Sequence, residues 1–98
     1  MLVRIVKMTF KKENIASFGQ LFETHKYDIR GFEGCELLEL YQDTKNPSVF
    51  FTYSYWENEG CLENYRKSSL FKSVWGKTKL LFAERPEAWS VNKIVTLN

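Results

Sequence analysis

The chain has 98 residues, of which 44% are apolar and 27% charged, with a formal charge of +2. This is enough for one small core and no second one, and too apolar for a disordered chain. The charge is too small and its carriers too scattered to mark a nucleic-acid or membrane partner.

Residues 2–10 read as a strand, with Leu2, Val3, Ile5, Val6, Met8 and Phe10 apolar and rich in β-formers. Arg4 and Lys7 interrupt this run. It therefore lacks the continuous apolar stretch of a signal peptide, and nothing in the chain approaches the ~18 apolar residues of a membrane span. These features predict a soluble, cytoplasmic protein forming a single domain over residues 1–98. After a polar break at 11–14, Ile15, Phe18, Leu21, Phe22, His25 and Ile29 recur at helical spacing, and Gly31 and Gly34 follow as terminators.

Two runs of strand character come next, Cys35 to Gln42 and Val49 to Trp56, joined by turn residues at 43–48. Asn58 suits the cap of a short helix through Cys61, Leu62 and Tyr65. Ser68 or Ser69 opens a longer helix carrying Phe71, Val74, Trp75, Thr78, Leu81 and Phe82, ended by Pro86. Trp89, Val91, Ile94 and Val95 form a last strand. The order β-α-β-β-α-β, with its second helical region split, predicts an α+β ferredoxin-like sandwich.

Pairing Asp43 with Ser48 across the hairpin sorts its side chains by face. One face holds Leu38, Leu40, Val49, Phe51, Tyr53 and Tyr55 and is expected to meet the helices. The other holds Cys35, Leu37, Tyr41, Phe50 and Trp56. A solvent-facing side of a sheet should be mainly polar, and this one is not. Each large side chain left wet forfeits roughly 1.5–3 kcal/mol. A second copy of the chain, packed sheet to sheet, would cover Leu37, Tyr41, Phe50 and Trp56. A slip of one residue exchanges the faces but leaves both partly apolar, so the expectation of a homodimer survives it.

Gly34-Cys35 entering a strand, Tyr41-Gln42-Asp43 before the turn, and the run from Phe51 through Tyr53, Tyr55 and Trp56 to Asn58 resemble the antibiotic-biosynthesis-monooxygenase (ABM) domain. So does Asn64-Tyr65-Arg66-Lys67-Ser68-Ser69-Leu70-Phe71, a helix, a break and a second helix. The resemblance covers residues 2 to 95 and implies a dimeric α+β barrel with a ligand site between sheet and helices. It also implies an oxidoreductase that reacts a quinol-type aromatic with dioxygen without metal or flavin, or a non-catalytic binding module of the same fold. Many members carry a histidine where Tyr65 or Leu70 stands here. The haem-degrading branch has Asn, Trp and His at positions that align with Val3, Tyr65 and Trp75, so that activity is not expected.

Chemistry in such a pocket needs a proton acceptor and donors for an anion. His25, the sole histidine, is the candidate base, although a structural helix-end histidine is the more common case. Tyr53, Tyr55, Tyr65 and Trp75 are candidate pocket-lining residues. One histidine and two cysteines twenty-six positions apart make no metal-ligand spacing, so no metal is expected, and the resemblance implies an activity that needs no cofactor. RNA-recognition motifs share the element order, but residues 49–55 lack their basic-Gly-aromatic consensus.

Overall fold

A computed structural model describes residues 1–98. The elements run β1 (Leu2–Thr9), α1 (Ile15–Arg30), β2 (Cys35–Gln42), β3 (Val49–Trp56), α2 (Glu59–Lys67), α3 (Ser69–Thr78) and β4 (Glu87–Asn92), with single 3-10 turns at Lys12–Asn14 and Lys79–Leu81. The four strands form one antiparallel sheet in the order β2-β3-β1-β4, and the helices cover one side of it. This is the ferredoxin-like α+β sandwich anticipated from the element order.

The break between α2 and α3 is written in its caps. The Asn58 side chain accepts from the Cys61 amide at 2.9 Å and starts α2. Ser68 ends α2 with its amide on the Tyr65 carbonyl, then starts α3 by accepting from the Phe71 amide at 3.1 Å. Before β2, Gly34 has φ +90° and its ideal Cβ would lie 2.4 Å from the Cys61 Cβ, so both its backbone and its neighbour require glycine.

Two corrections to the expected sheet emerge. The hairpin pairs Leu40 with Thr52 and Leu38 with Ser54, one residue from the expected register. The reason lies in the loop. The Asn46 side chain accepts from the Ser48 amide, and the Ser48 carbonyl accepts from the Phe10 amide at 2.9 Å. Ser48 is thereby drawn into the turn, and Asp43 bonds Val49 instead. Every β3 side chain consequently points to the face opposite the one expected. Phe50 and Trp56 are buried on the helix-facing side, not on the outer one. Tyr53 and Tyr55 lie on the outer side, not against the helices; Tyr53 touches Tyr41, and Lys93 sits over the Tyr55 ring. A bulge between Cys35 and Leu37 turns Cys35 inward as well, into a cluster with Trp56 and Leu62. Leu37 and Tyr41 do face outward.

The second correction concerns the last strand. It stops at Asn92 because Asn92 pairs with Leu2, where β1 itself begins. Ile94 and Val95 lie beyond it and are exposed.

The outer side of the sheet therefore carries Val3, Ile5, Leu37, Tyr41, Phe51, Tyr53, Tyr55, Trp89 and Val91, together with the charged Lys7, Glu39 and Glu87, by strand alternation from the register. Tyr41, Trp89 and Val91 are 47, 44 and 40% exposed, with no helix above them. The inner side holds two separate clusters. Met8, Phe10, Phe18 and Phe50 form one; Cys35, Trp56 and Leu62 form the other.

Candidate functional site

A cavity of about 350 Å³ opens between these two clusters, within the usual ~300–1,000 Å³ range of small-ligand sites. Its origin can be read residue by residue. Phe50 and Trp56 fill the ends of the inner row of β3, but Thr52 and Ser54 between them are small. Ser54 pairs with Leu38 on β2, and the row through Thr52 continues over Val6 on β1 to the short Ala88 on β4. Large rings at the two ends and short side chains in the middle leave a gap that the helices roof without filling.

The roof is apolar and aromatic. Phe18, Phe22 and Ile29 come from α1, Leu62 and Tyr65 from α2, and Phe71, Val74 and Trp75 from α3. The rings brace one another. Tyr65 stacks on Trp56 with centroids 5.0 Å apart and meets Phe71 edge-on, while Phe71 stacks on Trp75 at 5.9 Å. Such linked pairs hold ring orientations more firmly than area burial alone.

The polar groups are few. Ser54 accepts from the Trp56 indole at 2.9 Å and keeps its own O–H free to donate, whereas Thr78 donates to the Val74 carbonyl at 2.7 Å and its proton is committed to the framework. Burial, and secondarily the nearby Cys35, pushes the Tyr65 phenol up to about 12. At neutral pH it stays protonated, a hydrogen-bond donor and not a base. Arg4 rises from the floor on the central strand β1, and Arg66 reaches the same cavity from α2. Burial first, then repulsion by Arg66, lowers the Arg4 pKa; Glu63 partly offsets this.

Of the residues singled out from the sequence, Tyr65 and Trp75 line the cavity together, whereas Tyr53 and Tyr55 are on the other side of the sheet. His25 is half-buried on α1 but is not among the lining residues. At 3.6 residues per turn it sits about 60° round the helix from Phe22, on the flank of Leu21. Its Nδ1 is buried without a hydrogen-bond partner. Val3 also points away from the cavity; the inward positions of β1 are Arg4, Val6 and Met8. No imidazole and no carboxylate lines the cavity. Nor do any three His, Cys, Asp or Glu side chains come together in a metal-binding group.

Arg4, Thr52 and Ser54 are lining residues that sequence reasoning missed. Arg4 was legible as a charge inside an apolar strand, at an inward position of the sheet's centre. Thr52 and Ser54 were visible as small polar breaks in an aromatic strand, but only the true register puts them inside.

The model of the antibiotic biosynthesis monooxygenase family matches residues 1–75, from β1 into α3. A conserved protein from Methanosarcina mazei Go1 superposes with a TM-score of 0.88 at 24% identity, covering 95% of this chain and 93% of its own. An antibiotic biosynthesis monooxygenase superposes at 0.90 with 18% identity, covering 97% of this chain and 100% of its own. A protein from Mycobacterium tuberculosis does so at 0.89 with 11% identity, covering 99% and 98%. At these identities the superpositions establish a common fold. No curated protein sequence matches the chain.

Proposed function

The chain belongs to the antibiotic biosynthesis monooxygenase family, and from that premise we propose that it oxidises a small, electron-rich, quinol-type aromatic with dioxygen inside the cavity between sheet and helices. The observation that supports this is the cavity itself: about 350 Å³, walled by interlocked aromatic rings, with a handful of hydrogen-bond donors. In the reaction a phenol loses its O–H hydrogen and a ring hydrogen. One oxygen atom becomes a new ring carbonyl and the other leaves as water, so the substrate supplies all four electrons. The protein's part is to exclude water, hold the ring flat against Trp75 and Phe71, and stabilise the anion that reacts. Tyr65 serves as a neutral donor to that anion, and the guanidinium groups of Arg4 and Arg66 lower its energy electrostatically.

The active unit we propose is a homodimer joined through the outer sheet side, where Tyr41, Trp89 and Val91 stand in water in the single chain. Its two cysteines are free thiols, which suits a reducing compartment such as the cytoplasm. No helix is long and apolar enough to cross a membrane.

A second reading is a dimeric ligand-binding module without turnover. The specific observation in its favour is that neither an imidazole nor a carboxylate lines the cavity to accept the substrate's proton. Oxygen uptake with model dihydroxynaphthalenes separates the two. Consumption above the buffer rate, lost in Tyr65→Phe and in Arg4→Gln, supports the oxygenase; binding without consumption supports the module.

A further inference from the structure

Arg4 has an unusual setting. It stands on β1, between β3 and β4 in the sheet, on the side covered by helices. Its inward neighbours along the strand are Val6 and Met8, and its cross-strand neighbours are Ser54 and Ser90. The Ser90 hydroxyl accepts from one guanidinium nitrogen at 3.0 Å. No carboxylate pairs with it: the ion pairs of the chain are Lys7 with Glu87, Lys26 with Glu23 and Arg66 with Glu63. The charge nearest in kind is a second cation, Arg66, which faces the same cavity and shares Glu63 with it. Two guanidinium groups to one carboxylate leave an uncompensated positive charge against an apolar wall. A half-buried charge without a partner is costly to maintain.

We infer that the cavity takes an aromatic carboxylate, with Arg4 receiving the carboxylate and the ring plane lying among Tyr65, Phe71 and Trp75. This rests on the reading of the cavity as the substrate site and narrows it to a substrate class. The planar fork of a guanidinium offers two parallel N–H donors to a carboxylate. Ser90 holds one edge of the Arg4 fork and so fixes its plane. Arg66, exposed on its outer side, draws the anion toward the opening. The fused-ring portion is accommodated by the same gap that Thr52, Ser54 and Ala88 leave by being short.

The test compares 2-naphthoate with its neutral isostere 2-naphthamide by calorimetric titration. The wild-type protein should bind naphthoate at least about tenfold more tightly, since charge-assisted hydrogen bonds contribute roughly twice what neutral ones do. Arg4→Gln should bring the two affinities to parity, and Arg66→Gln should narrow the gap several-fold while leaving the fold intact on an exposed helix position. Should Arg4→Gln fail to fold, Arg4→Lys, which keeps the charge but not the fork, replaces it and should recover only part of the preference. Equal affinity of the wild-type protein for both probes would overturn the carboxylate assignment and leave the cavity as an aromatic site. Naphthoate binding that persists undiminished in a cavity-filled Thr52→Leu variant overturns it too, by placing the anion on the surface. If neither probe binds, the cavity is not a ligand site and the functional reading falls with the inference.

Discussion

The two sides of the sheet are built from similar amounts of aromatic and aliphatic side chain, yet they differ in organisation. On the outer side Val3, Ile5, Tyr53, Tyr55, Trp89 and Val91 make an unbroken apolar block across three strands, with the charged Lys7, Glu39 and Glu87 at its border. On the inner side the apolar residues collect in two clusters, at the Phe10 end and the Trp56 end, separated by Arg4, Thr52 and Ser54. A continuous surface suits a flat partner. An interrupted one, roofed by helices, makes a chamber. Apolar content alone does not distinguish them; the spacing of small and charged residues along each face does.

The largest effect should come from breaking the continuity of the outer side. Ile5 sits on the central strand between Tyr53 and Trp89. Ile5→Glu places a carboxylate where two sheets would meet, and a buried unpaired charge is penalised by several kcal/mol. Dimer affinity should fall at least about 100-fold, equivalent to roughly 2.7 kcal/mol. Sedimentation at micromolar concentration should show the variant at the 11.6 kDa of one chain and the wild-type protein at twice that mass. A wild-type particle of one chain removes the case for sheet-to-sheet pairing.

A pair of tyrosines sharpens the contrast between the faces. Tyr41 on the outer side has its pKa raised chiefly by the hydrogen bond to Glu39, at 2.5 Å, in an exposed position. Tyr65 on the inner side is raised chiefly by burial, from 10.0 to about 12. Below about pH 10 the phenol is protonated in both the folded and unfolded chain, and stability does not depend on it. Between about 10 and 12 the unfolded chain loses this proton while the folded one keeps it, so stability declines as pH rises. The decline attributable to Tyr65 is on the order of 2–3 kcal/mol. Chemical denaturation across pH 9–12 should therefore show a shallower fall for Tyr65→Phe than for the wild-type protein. Tyr41→Phe should change the slope little, because solvent screens its pair. Parallel curves for Tyr65→Phe and wild type would mean that the inner phenol is in contact with water.

How far the sequence reveals all this depends on which forces set each feature. The element order was legible because helical and strand periodicities are local, and the caps Asn58 and Ser68 are signals within one turn. The split of the second helical region was readable for the same reason. The hairpin register was not, because it turned on one side-chain hydrogen bond, Asn46 to the Ser48 amide, and on a backbone bond from Phe10 thirty-eight residues away. That one-residue difference reassigned Phe50, Tyr53, Tyr55 and Trp56 together. Tyr65 and Trp75 were found because the family resemblance aligns them with positions where members keep functional groups, and that alignment does not depend on the hairpin register. Arg4 was passed over because a charge on a first strand was weighed against a signal peptide and not against the interior of a sheet.

The smallest effect expected is also the most selective. Thr52 lies at the middle of the inner face, opposite Val6 and Leu40, with its side chain toward the cavity. Thr52→Leu extends an apolar side chain into empty space, where it meets aromatic walls instead of a packed core, so overpacking strain is small. Stability should hold or rise by up to about 1 kcal/mol, from the added buried methylene groups. Affinity for an aromatic ligand should drop about tenfold or more, some 1.4 kcal/mol, because the ligand now competes for the same volume. Assembly should be unchanged, since Phe51 and Tyr53 on either side of it face the other way. Thr52→Leu and Ile5→Glu thus form a reciprocal pair, each altering one face's function and sparing the other's. A Thr52→Leu variant that lost its dimer, or an Ile5→Glu variant that lost ligand binding as a folded monomer, would show that the two faces are coupled, with the partner subunit shaping the cavity through the sheet.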